Sequence, residues 1–429
     1  MVLETISAPV EVPAAEILPE DHPSTQSAGA IFRLMRHRNY RIFISGQLIS
    51  QIGNWINNVA QSWLVYSLTH SPLLLGVTAF AGQVPVFFLS SFGGVIADRF
   101  DRRRLLMVTQ SLSIVESAGL AYLAISGEVR AWHIIVLALF QGVVNAFDIP
   151  TRQAMNVDMV GKRDLRQAIS LNSMAFNLAR LVAPPIAGVL IALVGTGFCF
   201  TLDALSYGAV LMSLFWMRFD VQRSRQTEKP FQEMIAGILY VWRQPQLRIS
   251  ILLIAVCSVF GASFVTLLPA ISSDVLHQGS KGLGVLYGTV GGGSLLGAYA
   301  LARVPNRHLI ATPLAAAFML GASLIGLSFS HLPSVAMLWL VPASFSLMLL
   351  GGSTSTLVQT LAREDMRGRA VALYAMGFMG MMPWGSLLLG WVAGRTGASA
   401  AVMMGGLGCL VAAIGAWLGH FAGRDRQRI

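Results

Sequence analysis

Five side-chain amides, Gln47, Gln51, Asn54, Asn58 and Gln61, recur at spacings of three and four residues within "GQLISQIGNWINNVAQSW", residues 46–63. At about 100° per residue they fall within roughly 80° of one another on a helix, with Asn57 just beyond the edge. The surrounding segment is apolar enough to enter a bilayer, where an unpaired amide is costly. Two arrangements satisfy such a stripe: hydrogen bonds to neighbouring helices, or a wet cavity where the amides meet a solute. Amides offer donors and acceptors without net charge, which suits a polar or mixed organic substrate better than a simple ion.

Three ionisable residues, Glu116, Arg180 and Asp203, lie inside apolar runs. Charge in a membrane interior is expensive, so function is the default reading. Glu116 and Arg180 fall at similar depth, and an ion pair between them would offset much of the burial cost. A carboxylate in such a place can also exchange a proton. Both readings stay open.

A joint between apolar runs reads "ADRFDRRR", residues 97–104. It is either a solvated charge cluster or a latch. In the latch, Asp98 caps the start of a later helix near Gly368, where the helix dipole favours a carboxylate. Arg102, four residues on, bridges Asp98 to Asp148. Asp148 and Arg152 flank Pro150 at helical spacing, which also suits a local ion pair. In "RLVAPPIAG", Pro184 and Pro185 break the hydrogen-bond ladder, so with Gly188 they make either a hinge or a static kink. "MGFMGMMPWG" offers Met379 and Trp384 either as packing or as part of a pocket for varied apolar shapes. "GTVGGGSLLG" lacks the Lys-Ser or Lys-Thr of a phosphate loop and predicts close helix packing.

The elements that must position these residues follow from composition. Of the 429 residues, 55% are hydrophobic and 12% charged, which excludes a soluble domain. Runs of about 20 apolar residues, the length that crosses a bilayer, begin near Arg41, Leu73, Arg104, Ala131, Gln167, Gly197, Leu247, Gly282, Leu309, Ser334, Arg369 and Ala398. The net charge of +10 is not gathered into a patch, so nucleic acid is not a partner. Of 30 Lys and Arg, Arg130, Lys281 and Arg395 fall on one side and Arg180 inside a span; the remaining 26 face the other side. The positive-inside rule makes that side, with both termini, cytoplasmic. Residues 1–30 are acidic and rich in proline, without the basic start of a signal peptide, and predict a disordered tail. Cys199, Cys257 and Cys409 lack metal spacing, the eight histidines are scattered, and no nucleophile motif stands beside them. No metal, cofactor or catalysis is expected.

The chain also repeats itself. "GGVIADRFDRRR" from Gly93 aligns with "GAYALARVPNRH" from Gly297, placing Arg99 over Arg303 and Arg103 over Arg307; "RQAISLNSM" from Arg166 tracks "GRAVALYAM" from Gly368. The halves are residues 31–219 and 247–421, joined by a linker, 220–246, that turns amphipathic near Phe231–Trp242, with a basic tail at 422–429.

At "GVIADRFDRR" the sequence resembles the major facilitator superfamily, whose hallmark runs G-x-x-x-D-R-x-G-R-R; Asp101 replaces the second glycine. With "FDIPTRQA", "NLARLVAPPIAG" and "REDMRGRAVALY", it resembles the enterobactin-exporter and macrolide-efflux branch. The resemblance implies an all-α membrane protein of twelve transmembrane helices in two pseudo-symmetric six-helix halves. It implies a secondary transporter in a bacterial inner membrane that exports a drug-like compound or siderophore by alternating access, with protons as the counter-ion. It places the first helix on the substrate cavity. It makes Asp98, Arg99, Arg102, Asp148, Arg152 and Gly368 a gate that holds the cytoplasmic side closed. Ala302 replaces the matching aspartate, so the gate is one-sided. The alternatives are import of a metabolite, a lipid enzyme, or a sensor that moves nothing. Substrate identity and oligomeric state are not legible.

Overall fold

The computed structural model describes residues 34–217, 230–305 and 308–425. The acidic tail, the basic start of the linker, Arg307 and residues 426–429 lie outside them. The described residues form twelve long helices: α1 (Arg38–Thr69), α2 (Pro72–Arg99), α3 (Arg102–Ser126), α4 (Ala131–Gly161), α5 (Gln167–Val194) and α6 (Thr196–Trp216). Then come α7 (Pro245–Val275), α8 (Gly279–Leu301), α9 (Ala311–Ser328), α10 (Pro333–Leu361), α11 (Arg367–Thr396) and α12 (Ala398–Gly419). Each begins within three residues of the start read from the sequence. Ten are long and apolar enough to cross a membrane on length and composition alone. The two that are not are α1, with its amides, and α8, with its glycines.

Turn chemistry sets the breaks. Pro72 stands at the first turn of α2, after Ser71, whose hydroxyl accepts from Leu74 N–H at 3.4 Å. Asp101, standing where the hallmark has glycine, accepts from Arg103 and Arg104 N–H at 2.9 and 3.2 Å. Its φ of −64° needs no glycine, so the tight turn is made by an N-cap instead. Gly195 and Gly397, at φ 83° and 90°, close α5–α6 and α11–α12 in matching positions of the two halves.

Among the described residues the halves pack on each other from one end to mid-span, where Phe87 of α2 meets Gly380 of α11 and Arg180 O of α5 meets Gly291 of α8. Gly76 of α2 packs on Ser386 and Gly390 of α11, and Gly188 of α5 packs on Ser280 and Gly284 of α8. These last contacts lie toward the end opposite the arginine-rich joints, here called the far end; the other is the basic end. Toward the basic end of α5, Ser170 and Ser173, which follow the seam face of that helix, are exposed. Between the halves runs the amphipathic linker helix, Pro230–Arg243, whose Val241 packs with Leu247, Val358, Ala362 and Ala370 under the second half. Its Tyr240 hydroxyl accepts from Arg363 N–H at 2.9 Å, while Leu239 and Trp242 stay exposed.

Candidate functional site

A buried polar cluster joins α1, α3 and α6 inside the first half. Glu116 and Asp203 are 2% and 0% exposed. Ser117 Oγ lies 3.0 Å from Glu116 Oε2 and 2.8 Å from Asp203 Oδ2, and Asn57 Nδ2 donates to Asp203 Oδ2 at 2.6 Å. Backbone spacing permits this. Gly53 of α1 faces Asp203 and Ser206, where a Cβ would collide, so α1 and α6 approach closely enough for Asn57 to reach across. Among the described residues no arginine or lysine pairs with either carboxylate. The expected Glu116–Arg180 ion pair is therefore absent: Glu116 turns into the first half, whereas Arg180 turns toward the second.

A serine has one hydrogen to donate. If its oxygen bonds both carboxyl groups, one of them must donate to it and so carries a proton. The arrangement can hold and release a proton, and nearby amides extend it. Asn54 Nδ2 donates to the Tyr207 hydroxyl at 3.2 Å, and Asn58 Nδ2 donates to Asn54 Oδ1 at 2.7 Å. Asn58 is exposed at mid-span, Gln51 and Gln61 are half-buried, and Gln47 is buried. The stripe thus divides between the two arrangements its sequence allowed. Asn54, with the adjoining Asn57, bonds between helices, and Asn58 opens to a space.

Arg180 sits on the face of α5 roughly opposite the exposed apolar row Met174, Leu178 and Val182, taking about 100° per residue. On its basic-end side that face is exposed at Ile169, Ser173 and Phe176; on its far side Ala183, Pro184 and Ala187 are buried. Arg180 therefore sits where the buried, seam-forming part of this face gives way to an exposed strip toward the basic end, here called the cleft. Its guanidinium carbon lies 5.7 Å from the Trp55 ring centroid, and Trp55 lies 5.8 Å from Phe176. Tyr287 of α8 faces it from the other half.

The expected latch is built differently. Arg102 joins Asp98, at 3.0 Å, to Asp158, at 2.8 Å, rather than to Asp148. Asp148 is already filled: it is buried and accepts from Thr109 at 2.8 Å, Gln110 at 2.7 Å and Arg152, four residues on in α4. Asp98 does not cap α11, because the space beside Gly368 is open. Arg103 donates to the carbonyls of Leu214 and Phe215 at 2.7 and 2.9 Å, tying the end of α6. Arg99 has no acidic partner among the described residues.

Pro184 and Gly188 form part of the α5–α8 contact, with the Pro184 carbonyl facing Gly284. The run in α8 is a packing surface: Gly291 faces Arg180 O, Gly293 faces Val341 O and Gly297 faces Phe345 O. Met379 is 71% exposed in a π-helical stretch, Met376–Gly380, and Trp384 meets Phe80 of α2 at 5.0 Å, edge to face. Sequence reasoning missed Ser117, Tyr207, Trp55 and the hydrogen bond from Tyr66 of α1 to Asp274 of α7, which crosses between the halves at the far end. Trp55 borders the amide stripe and was the one with a readable signal.

A family profile described as transmembrane secretion effector, of the major facilitator type, matches residues 30–423. The staphyloferrin A transporter of Staphylococcus aureus is 26% identical over 81% of this chain and 88% of its own length. The multidrug efflux pump Tap of Mycolicibacterium fortuitum is 28% identical over the same shares, and the enterobactin exporter EntS of Escherichia coli is 24% identical over 88% and 91%. Among solved structures, an occupied, inward-facing bacterial homologue of the lysosomal transporter Spinster aligns with a TM-score of 0.69 at 14% identity, covering 90% of this chain and 97% of that one. An inward-facing bacterial homologue of ferroportin aligns at 0.66 and 15% identity, covering 91% and 99%.

Proposed function

The chain belongs to the transmembrane secretion effector family of the major facilitator superfamily, and on that premise we propose that it is a secondary transporter exporting a small organic molecule in exchange for protons. The observation that carries the coupling is the Glu116–Ser117–Asp203 cluster. Two carboxyl groups share one hydroxyl, and among the described residues no Lys or Arg pairs with either; like charges so close cannot both ionise at low dielectric. A proton taken there leaves when the surroundings change. Asn54, Asn57 and Asn58 connect the cluster to the cleft, so occupancy of the cleft and protonation of the pair act on the same stretch of α1.

In this reading the basic end is cytoplasmic, as the arginine placement favours, and both termini lie there. The arrangement described above is then open to the cytoplasm and closed outside, ready to load an export substrate. The cleft is lined by Gln51, Asn58 and Gln61, with Met379 and Trp384 contributed by the second half. Asp98 and Arg102 form part of the cytoplasmic gate in the opposite state, after Arg102 leaves Asp158. The chemical range of the relatives, siderophores and drugs, supports an organic substrate of mixed polarity.

The test is uptake of labelled drugs and catecholates into inverted vesicles. Acid inside should drive accumulation that collapses when the gradient is discharged. Accumulation indifferent to the gradient, in wild type and in Asp203→Asn alike, would remove the exchange of protons from the proposal.

A further inference from the structure

We propose that Arg180 binds an anionic group of the transported molecule, so that the substrate is an organic anion with an aromatic or otherwise apolar body. The proposal rests on the reading of the cleft as the transport path and goes further by naming the charge of what enters it.

Arginine stays charged in any protein setting, so it cannot escape desolvation by losing its proton. Arg180 lies near the middle of its span, and, unlike Arg152 of α4, which pairs with Asp148, it has no carboxylate partner among the described residues. The three buried acids of the same half are engaged elsewhere: Glu116 and Asp203 in their own cluster with Ser117 and Asn57, and Asp148 with Thr109, Gln110 and Arg152. What Arg180 has is the face of Trp55 at 5.7 Å. A cation–π contact returns only part of what hydration gave the ion. The guanidinium stands where the cleft meets the seam, at which Tyr287 of the second half also arrives, and Phe176 and Ser173 lead up to it from the basic end. A molecule entering from the basic end therefore meets a forked donor at the bottom, fitted to a carboxylate, phenolate or sulfonate. Trp55 and Phe176, with rings tilted 60° to one another, offer apolar faces beside it, and Asn58 offers a donor and acceptor to further hydroxyl or amide groups.

The same placement ties substrate to proton. Trp55 touches Arg180, while Asn54 and Asn57, one residue before it and two after, reach Tyr207 and Asp203 on the other side of α1. An anion that draws Arg180 or Trp55 toward itself acts on the helix that holds the carboxyl pair.

Equilibrium binding to the full chain in lipid nanodiscs tests this with three probes of one shape: 1-naphthoate, its neutral amide, and 1-naphthylmethylammonium. Wild type is expected to bind the carboxylate roughly tenfold to a hundredfold more tightly than the amide, the range of a charge-assisted hydrogen bond, and the ammonium weakest. Arg180→Gln should erase the preference, and Arg180→Lys should keep part of it. Equal binding of the three, absence of carboxylate binding, or an unchanged preference in Arg180→Gln overturns the proposal. Because no gradient is present, the result is separable from the transport reading: charge preference without any flux in vesicles counts against transport alone, and flux without charge preference counts against Arg180 alone.

Discussion

Gly188 of α5 and Gly284 of α8 touch across the two halves so closely that a Cβ on either would stand 2.9 Å from the other's Cα. The pseudo-symmetric seam repeats the device: a Cβ on Gly390 of α11 would stand 3.0 Å from Gly76 Cα of α2. Real side chains do not accept such contacts with backbone, so these glycines permit closure of the far end. Gly188→Leu and Gly76→Leu are expected to hold that end ajar and to abolish accumulation in vesicles. Spin labels at Ser67 and Gln278, near the far ends of α1 and α8, should report a longer distance in both variants than in wild type.

Removing one acid from the carboxyl pair separates coupling from binding. Asp203→Asn keeps the shape and the bonds to Asn57 and Ser117 while deleting the site's second titrating group. Gradient-driven accumulation should fall by at least about tenfold, while downhill movement of preloaded substrate continues. Vesicle flux measured with and without a pH difference distinguishes these. Equal loss of both would make Asp203 a packing residue.

The span starts were legible because membrane crossing is dictated by length and apolarity, and the seam glycines of α8 because their four-residue spacing has a mechanical meaning. The site was half legible. The amide stripe and the three intramembrane charges announced themselves by cost alone, but which charge faces which is a property of helix rotation and of packing between segments distant in sequence. Depth suggested Glu116 with Arg180; rotation put Glu116 beside Asp203. Likewise Arg102 found Asp158, nearly three turns beyond the expected Asp148, because Thr109, Gln110 and Arg152 had already filled Asp148. Ser117 carried no signal at all, since one serine in a span is ordinary.

Arg103 illustrates a residue of the hallmark joint that acts as a brace. Its guanidinium donates to two carbonyls at the end of α6, Leu214 and Phe215, where the helix leaves acceptors unfilled. Arg103→Ala should cost about 1–3 kcal/mol, the loss of charge-assisted bonds to groups that then lack a partner. A lowered Tm in nanodiscs with unaltered probe preference is the expected pair of readings; a changed preference at unchanged Tm would assign it to the transport path instead.

Tyr66 and Asp274 supply a polar counterpart to the glycine seams. The Tyr66 hydroxyl, on a ring that is 1% exposed, donates to the carboxylate of Asp274 from the opposite half. Asp274 follows Ile271 in a π-helical stretch, Ile271–Val275, which offsets the end of α7 from the regular helical line and is the local irregularity that presents this carboxylate to α1. The bond spans the closed far end, so it favours that state, and in the proposed cycle it must break when that end opens. Tyr66→Phe keeps the ring and its packing but removes the donor. The closed state should lose stability by a factor of about ten, the value of one hydrogen bond to a charged group at the lower end of its range. The Ser67–Gln278 label distance should then show a larger open population without substrate, and Asp274→Asn, which retains an acceptor, should lie between Tyr66→Phe and wild type. Identical distance distributions in all three proteins would show that the glycine contacts alone hold the far end shut.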